Sequence, residues 1–472
     1  MQDNEIPLCV DLDGTLIRTD LLMESALSLL RRNPLNVFRF AGWLLHGKAR
    51  LKREIAQRTE IDVTLLPYEQ RLVDWLRADQ AHRRQILCTA SDQKLADAVA
   101  AHVGGFETVL ASDGRCNLAG AHKAEALRGR YGDGGFDYAG NAAPDLRVWQ
   151  HARRAVLVNA SARVVRAAQK RFAVERVFAR EGGSLRTWIK ALRVHQWLKN
   201  LLVFLPLAAA HLVMSREAVG RCVLAFLCFG LCASGVYILN DLLDLDADRA
   251  HPRKRRRPFA NGALSLHSGL VAAPLLIAAA FALATPLSWR FAVVLGGYFV
   301  LTTGYSLFLK RVPMLDTVVL AGLYTIRIIA GAAAIGIGLS FWLLAFSMFL
   351  FFSLALIKRY TELHSLLRDG KSRVARGYAV EDLSLVQSLG AASGYLSVLV
   401  LALYINSTAS EALYRHPQVL WLLCPALLYW LSRSWLIAHR GAMHDDPVVF
   451  ALTDNVSRIV LALCAAVVIG AI

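Results

Sequence analysis

Between residues 240 and 258 the chain reads NDLLDLDADRAHPRKRRRP. Asp241, Asp244 and Asp248 stand at i, i+3 and i+7, which on a helix puts them on one face, with Asp246 on the opposite side. A long apolar run, 219–239, precedes the stretch and another follows it. Three carboxylates at the end of a membrane helix cost several kcal/mol unless a cation sits among them, and their mutual repulsion adds to that. Mg2+ takes oxygen ligands and bridges phosphates, so the spacing predicts a Mg2+–diphosphate site. Six cations follow at once: Arg249, Arg253, Lys254, Arg255, Arg256 and Arg257. A basic loop at a membrane surface accounts for them but leaves the spaced acids unexplained.

A second set of acids lies near the N-terminus. Asp11 and Asp13 in DLDGT are two apart, on one side of an extended chain, and Gly14 permits a sharp turn around what they bind. The apolar run at 6–10 reads as a buried strand, QILCTA at 85–90 as another, with Thr89 and Ser91 at its end, and 155–158 as a last short one. Residues 20–82 are mostly helical in pattern, Lys123 lies in a glycine-flanked segment opening a helical run, and GNAAPD occupies 140–145. Strands alternating with helices predict a doubly wound α/β sheet, with ligands at the carboxyl ends of its strands.

The two acid sets sit in different kinds of sequence. Residues 1–183 have ordinary globular composition, whereas apolar runs near the ~20 residues that span a bilayer recur from Trp197 onward. Nine spans are expected, near 197–213, 219–239, 264–284, 289–308, 313–335, 337–357, 384–406, 417–437 and 449–471. Basic clusters at 249–257, 310–311, 358–376 and 433–440 then fall on one side, which places that side and the N-terminal domain in the cytoplasm. The net charge of +17 fits such loops and lipid headgroups; no basic stripe with interleaved aromatics points to nucleic acid. Eight cysteines without metal-ligand spacing indicate a reduced compartment.

DLDGT, Thr89, Lys123 and GNAAPD, in that order, resemble the four motifs of the haloacid dehalogenase-like phosphatases, over roughly residues 6–160. The resemblance implies an α/β Rossmann-like domain with a helical cap at about 20–82. It implies Asp11 as nucleophile, Asp13 as acid/base, Thr89 and Lys123 on the phosphoryl oxygens, and Mg2+ held by Asp11, Asp145 and the Asp13 carbonyl. The chain departs from the pattern at Asn141, where the fourth motif usually begins with an acid. Within the cap, the basic, amphipathic stretch at 34–53 suits either a membrane surface or a cap core.

Four basic loops with sparse acids suit a polyanionic phosphate substrate. YSLFLKRVPMLD brings Tyr305, Lys310 and Asp316 to one of them; Arg327 lies deeper in the same helix, where a charge is expensive; Lys358, Arg359 and Glu362 end another span; and RGAMHDDP occupies 440–447. The 240–258 stretch resembles the first Asp-rich motif of the UbiA superfamily of intramembrane prenyltransferases and YSLFLKRVPMLD the second, over about 185–472. Asp316 has no partner acid at the next turn, unlike most members. The DRAHPxKxxRP ending, the YSxxLK block and Arg327 look most like the branch that transfers phosphoribose from phosphoribosyl diphosphate to a polyprenyl phosphate.

Together these resemblances imply a phosphatase domain at 1–180, a linker and interfacial helix at 181–196, and a nine-helix transferase at 197–472, with Mg2+ in both domains. The transferase would use Asp241, Asp244 and Asp248 on the metal, with Asn240, Arg249, Lys254, Arg257, Tyr305, Lys310, Asp316, Arg327, Lys358, Arg359 and Glu362 on substrate. The phosphatase would then remove the 5-phosphate of the ribose lipid. An alternative is prenyl transfer to an aromatic or other acceptor, beside a regulatory or scaffold phosphatase-like domain. The expected location is a bacterial-type inner membrane.

Overall fold

The computed structural model describes residues 6–368, 377–443 and 446–472. Positions 369–376 of the expected basic loop and 444–445 of RGAMHDDP lie outside the described residues. The chain divides into two compact units. One comprises Met1–Leu192 with Tyr237–Pro274, the other Arg193–Val236 with Leu275–Ile472.

The first unit is built on a six-stranded parallel sheet in the order β3-β2-β1-β4-β5-β6. The strands are β1 (Leu8–Val10), β2 (Gln85–Asp92), β3 (Phe106–Ser112), β4 (Asp137–Gly140), β5 (Ala155–Val158) and β6 (Val174–Phe178). Side chains alternate across the sheet, as a period of two requires. Leu8, Val10, Leu87, Ala139, Val156 and Val158 join one apolar core, while Cys9, Ile86, Cys88, Tyr138, Ala155 and Leu157 join the other. Burial of both faces is what a parallel sheet needs. The chain winds outward from β1 through β2 and β3, then returns to place β4 on the other flank of β1. The carboxyl ends of β1 and β4 thus form the switch point at which open α/β sheets bind ligands.

The insert after β1 contains α1 (Leu21–Arg32), α2 (Asn36–Leu45) and α3 (Lys48–Arg58), then a 3-10 turn at Val63–Leu65 and α4 (Gln70–Asp79). Asp20 caps α1 by accepting from the Met23 amide. The basic amphipathic stretch is therefore two helices, not one. α2 leaves Val37, Phe38, Leu44 and Leu45 exposed and buries Asn36 instead, so its apolar side chains are not spent on a cap core.

The C-terminal half is a helical, polytopic membrane domain. Among the described residues, six helical segments are long and apolar enough to cross a membrane: Arg216–Leu243, Leu266–Leu283, Leu315–Ile335, Phe341–Arg368, Val380–Ile405 and Pro417–His439. A seventh results if Pro447–Thr453 and Asn455–Ala471, bent by 79°, count as one span. The expectation of nine is corrected accordingly. The 197–213 run forms 3-10 structure at Val194–Phe204 followed by a five-residue helix, Leu205–Ala209, with Pro206 near its start. Trp289–Leu307 is helical over 19 residues, with Arg290 in its first turn, and is not among these six.

Candidate functional site

β1 delivers Asp11 into the turn that follows, where the Asp11 amide bonds the Ala139 carbonyl of β4 at 2.9 Å. Gly14 has φ +76°, and a Cβ there would fall 2.0 Å from the Asn141 amide nitrogen. Only glycine fits both the backbone and the space. Asn141, at the position where the fourth motif usually carries an acid, therefore packs directly on the DLDGT turn.

Around that turn lies a buried polar chain. Lys123, on α6 (Ala121–Tyr131, with α5 at Gln93–Val103 before it), reaches Asp11 Oδ1 at 2.6 Å. It also donates to the Tyr138 hydroxyl at 2.9 Å, which donates to Asp145 Oδ1 at 3.0 Å. Asp145 Oδ2 accepts from the Asn141 and Ala142 amides, both at 2.9 Å. Asp13 accepts from Ser91 Oγ at 2.6 Å and from the Leu21 amide at 2.9 Å. Thr89 lies on β2 with its hydroxyl accepting from the Ser91 amide at 3.0 Å. Asp11, Asp13, Thr89, Lys123 and Asp145 are thus gathered at the carboxyl ends of β1, β2 and β4. Tyr138, Ser91 and Lys52 were not assigned from sequence. Lys52 of α3 donates to the Ala90 carbonyl at 2.6 Å. An isolated tyrosine in an apolar strand carries no signal of its own; only the fold puts its hydroxyl between Lys123 and Asp145.

Burial raises the Asp11 pKa, with Lys123 opposing and Asp145 adding. Burial also pushes Asp13 up, to about 7, with Asp20 adding and the Leu21 amide and Ser91 opposing. Burial works against the Lys123 ammonium, but Asp11, Cys88 and Asp145 outweigh it and hold the lysine charged.

The Asp-rich stretch belongs to the same unit. The helix stops at Leu243, Asp244 takes non-helical angles (φ −101°, ψ 18°), and a short helix runs over Leu245–Ala250. The three aspartates therefore do not lie along one unbroken helix. Asp241 and Asp248, both buried, still meet: Arg257 Nη1 lies 3.1 Å from Asp241 and 2.6 Å from Asp248. Asp244 is 3.4 Å from Arg31 of α1. Asn240 is half-buried and Lys254 exposed. Arg249 is buried and bonds Glu24 and the Ala260 carbonyl.

The second unit holds the other expected residues in two clusters. Asp316, fully buried, accepts from Arg359 Nε at 2.5 Å and from the Tyr378 hydroxyl at 2.6 Å. Arg359 also pairs with Glu362 and reaches the Tyr305 hydroxyl at 3.4 Å. Lys310 follows on the 3-10 turn Leu309–Arg311 and is half-buried. In the other cluster Asp446 Oδ2 accepts from Lys199 at 2.8 Å and Lys358 at 3.0 Å, and Oδ1 from the Tyr324 hydroxyl at 3.0 Å. Arg327 bonds Asn200 at 2.8 Å and the Tyr298 hydroxyl at 3.2 Å. Lys199, Asp446 and Tyr378 were not assigned from sequence, since partners so distant along the chain leave no local pattern. Among the described residues, no group of three or more His, Cys, Asp or Glu side chains is close enough together to hold a metal.

The UbiA prenyltransferase family matches residues 201–456. An uncharacterized protein of Sinorhizobium fredii is 37% identical over 467 residues, 98% of this chain and 90% of its own. Nodulation protein NoeC of Azorhizobium caulinodans is 38% identical over 280 residues, 58% of this chain and 89% of its own. Decaprenyl-phosphate phosphoribosyltransferase of Mycolicibacterium smegmatis is 38% identical over 186 residues, 39% of this chain and 58% of its own. With a family match over more than half its length and a relative alike nearly end to end, this chain belongs to the UbiA prenyltransferase family.

Proposed function

We propose that the membrane domain transfers 5-phosphoribose from phosphoribosyl diphosphate to a polyprenyl phosphate, and that the N-terminal domain removes the 5-phosphate of the resulting lipid. The observation that carries the donor assignment is the state of Asp316. Both its carboxylate oxygens are taken, by Arg359 and Tyr378, so the second motif offers no spare acid pair for a metal-bound prenyl diphosphate. The diphosphate then belongs at the first motif, on a water-soluble sugar, a reading supported by likeness to relatives named decaprenyl-phosphate phosphoribosyltransferase.

Asp241 and Asp248 fit a divalent cation, because one guanidinium nitrogen of Arg257 already lies within 3.1 Å of both, and all the donors are oxygens. Asp244, the third ligand expected from sequence, lies 3.4 Å from Arg31. Mg2+ bound there would offset the charge of the departing diphosphate. The chain's own part is to orient that diphosphate with Arg257, Lys254 and Asn240, and to present the lipid phosphate to C1 of the ribose. Lys310, Arg327, Lys358 and Arg359 would serve the anionic substrates, with Tyr305 and Glu362 orienting Arg359. The N-terminal domain and both sites face the cytoplasm of a bacterial inner membrane.

In the N-terminal domain Asp11 attacks the 5-phosphate, and the ribose oxygen leaves with a proton from Asp13, whose pKa burial raises above the usual carboxylate range. Water then releases phosphate from Asp11. Lys123 and Thr89 bind the phosphoryl oxygens. Asp11, Asp145 and the Asp13 carbonyl are hard oxygen donors and would hold Mg2+, which would supply positive charge to the phosphoryl group. Fusion raises the local concentration of the intermediate for this second step.

The test is product analysis. Purified full-length protein is incubated with labelled phosphoribosyl diphosphate, polyprenyl phosphate and Mg2+. A ribose lipid is expected; transfer of a prenyl chain to an aromatic acceptor, with no ribose lipid, would overturn the reading.

A further inference from the structure

Arg249 sits one residue beyond Asp248, yet its side chain is committed elsewhere. Its Nη1 and Nη2 donate to Glu24 Oε2 and Oε1 at 2.7 and 2.5 Å, and its Nε donates to the Ala260 carbonyl at 2.9 Å. The pair is enclosed, with side chains 4% and 1% exposed. Glu24 lies on α1, and its Oε1 also accepts from the Thr19 hydroxyl at 2.5 Å. The Thr19 carbonyl in turn accepts from the Gly14 amide at 3.0 Å. A continuous set of bonds thus runs from the DLDGT turn to the helix that carries Asp248.

Other contacts seat the same segment. Arg31 of α1 approaches Asp244 at 3.4 Å. Gly262 has φ +72°, and a Cβ there would fall 2.5 Å from Arg18 Cβ. A Cβ on Gly182 would fall 2.6 Å from the Ala263 carbonyl oxygen. An exposed ion pair would be adjustable and weak, but an enclosed, bidentate one fixes both groups in direction as well as distance.

We propose that Glu24 is a positioning residue for the Asp-rich motif: its pair with Arg249 sets the helix Leu245–Ala250, and so the register in which Asp248 meets Asp241 around a divalent cation and diphosphate. The N-terminal domain is then part of the transferase's construction as well as a second enzyme. This rests on the assignment of the diphosphate to the first motif.

The test uses full-length protein in detergent, in an Asp11→Asn background that silences the N-terminal nucleophile. Diphosphate-dependent Mn2+ binding is followed by electron paramagnetic resonance, with thermal melting alongside. Glu24→Gln keeps the shape and removes the charge; binding is expected to weaken at least ~10-fold, and Glu24→Asp to recover part of it. A double variant, Glu24→Gln with Arg249→Met, leaves no orphan charge and should melt close to the background protein while binding stays weak. Binding in the double variant equal to the background protein would overturn the proposal, because the pair would then only be neutralising itself. Unchanged binding in Glu24→Gln would overturn it too. Weakened binding in a protein that makes no ribose lipid supports it and overturns the donor reading alone. A background protein that takes up no Mn2+ with diphosphate overturns both.

Discussion

Tyr138 illustrates what one hydroxyl contributes at the N-terminal site. It joins Lys123 to Asp145, so both charged groups keep a fixed direction. Tyr138→Phe removes the bridge, preserves the ring packed on Trp149, and leaves a buried lysine short of one acceptor. At ~1.5–3 kcal/mol for a hydrogen bond to a charged group, phosphatase turnover should fall about 10- to 150-fold, with the melting temperature lowered as well. Steady-state assays on a sugar phosphate check this. At the membrane motif, Asp248 shares Arg257 with Asp241, whereas Asp246 makes no such bond among the described residues. Asp248→Asn should abolish ribose transfer and Asp246→Asn should leave it within a few-fold. Equal loss in both, measured as lipid product formed, would mean that the Arg257-centred pair is not the metal site.

At the scale of elements, Glu69 ties three of them together. It precedes α4, and its buried carboxylate accepts from Arg18 at 2.9 Å, Arg71 at 2.8 Å and Asn159 at 2.9 Å. Burial would raise its pKa, but the bonds from Arg71, Arg18 and Asn159 outweigh that and lower it to about 2. A carboxyl more acidic in the folded state stabilises the fold above its unfolded pKa, near 4.3, and that contribution is lost as pH falls towards about 2. Glu69→Gln should therefore cost ~2–3 kcal/mol at pH 7 and progressively less below pH 4, read from melting curves across that range. β1, β2 and β5 were legible as short apolar runs between turns. β3 and β6 were not: each carries a glutamate and sits on an edge of the sheet, where burial no longer enforces an apolar run. The break at Asp244 was also hidden, because the i, i+3, i+7 spacing fits a straight helix equally well.

At the scale of the molecule, two acid sets in one chain predict two separable steps. Asp11→Asn keeps the shape of the nucleophile and removes its charge, so no phosphoaspartate forms. Loss of a catalytic nucleophile typically costs several orders of magnitude in rate, so the phosphorylated ribose lipid should accumulate in this variant while the unmodified protein yields the dephosphorylated one. Chromatography of the labelled lipids separates them. If the unmodified protein stops at the phosphorylated lipid even at high Mg2+, the N-terminal domain is either a scaffold or acts on something else.

Composition and spacing alone separated a globular α/β part from a polytopic membrane part, because burial in a sheet and burial in a bilayer demand apolar runs of different length. The resemblance of DLDGT, Thr89, Lys123 and GNAAPD to phosphatase motifs also implied that Asp11, Asp13, Thr89, Lys123 and Asp145 form one group. What tertiary structure alone decided are pairings between residues on different elements: Tyr138 with Lys123, Asp446 with Lys199 and Lys358, and Glu24 with Arg249. Lys199–Asp446 and Glu24–Arg249 each join residues more than two hundred positions apart. Charge and burial make each partner obligatory for the other, but nothing local in the chain states which cation an acid will meet; only the packing of the folded units does.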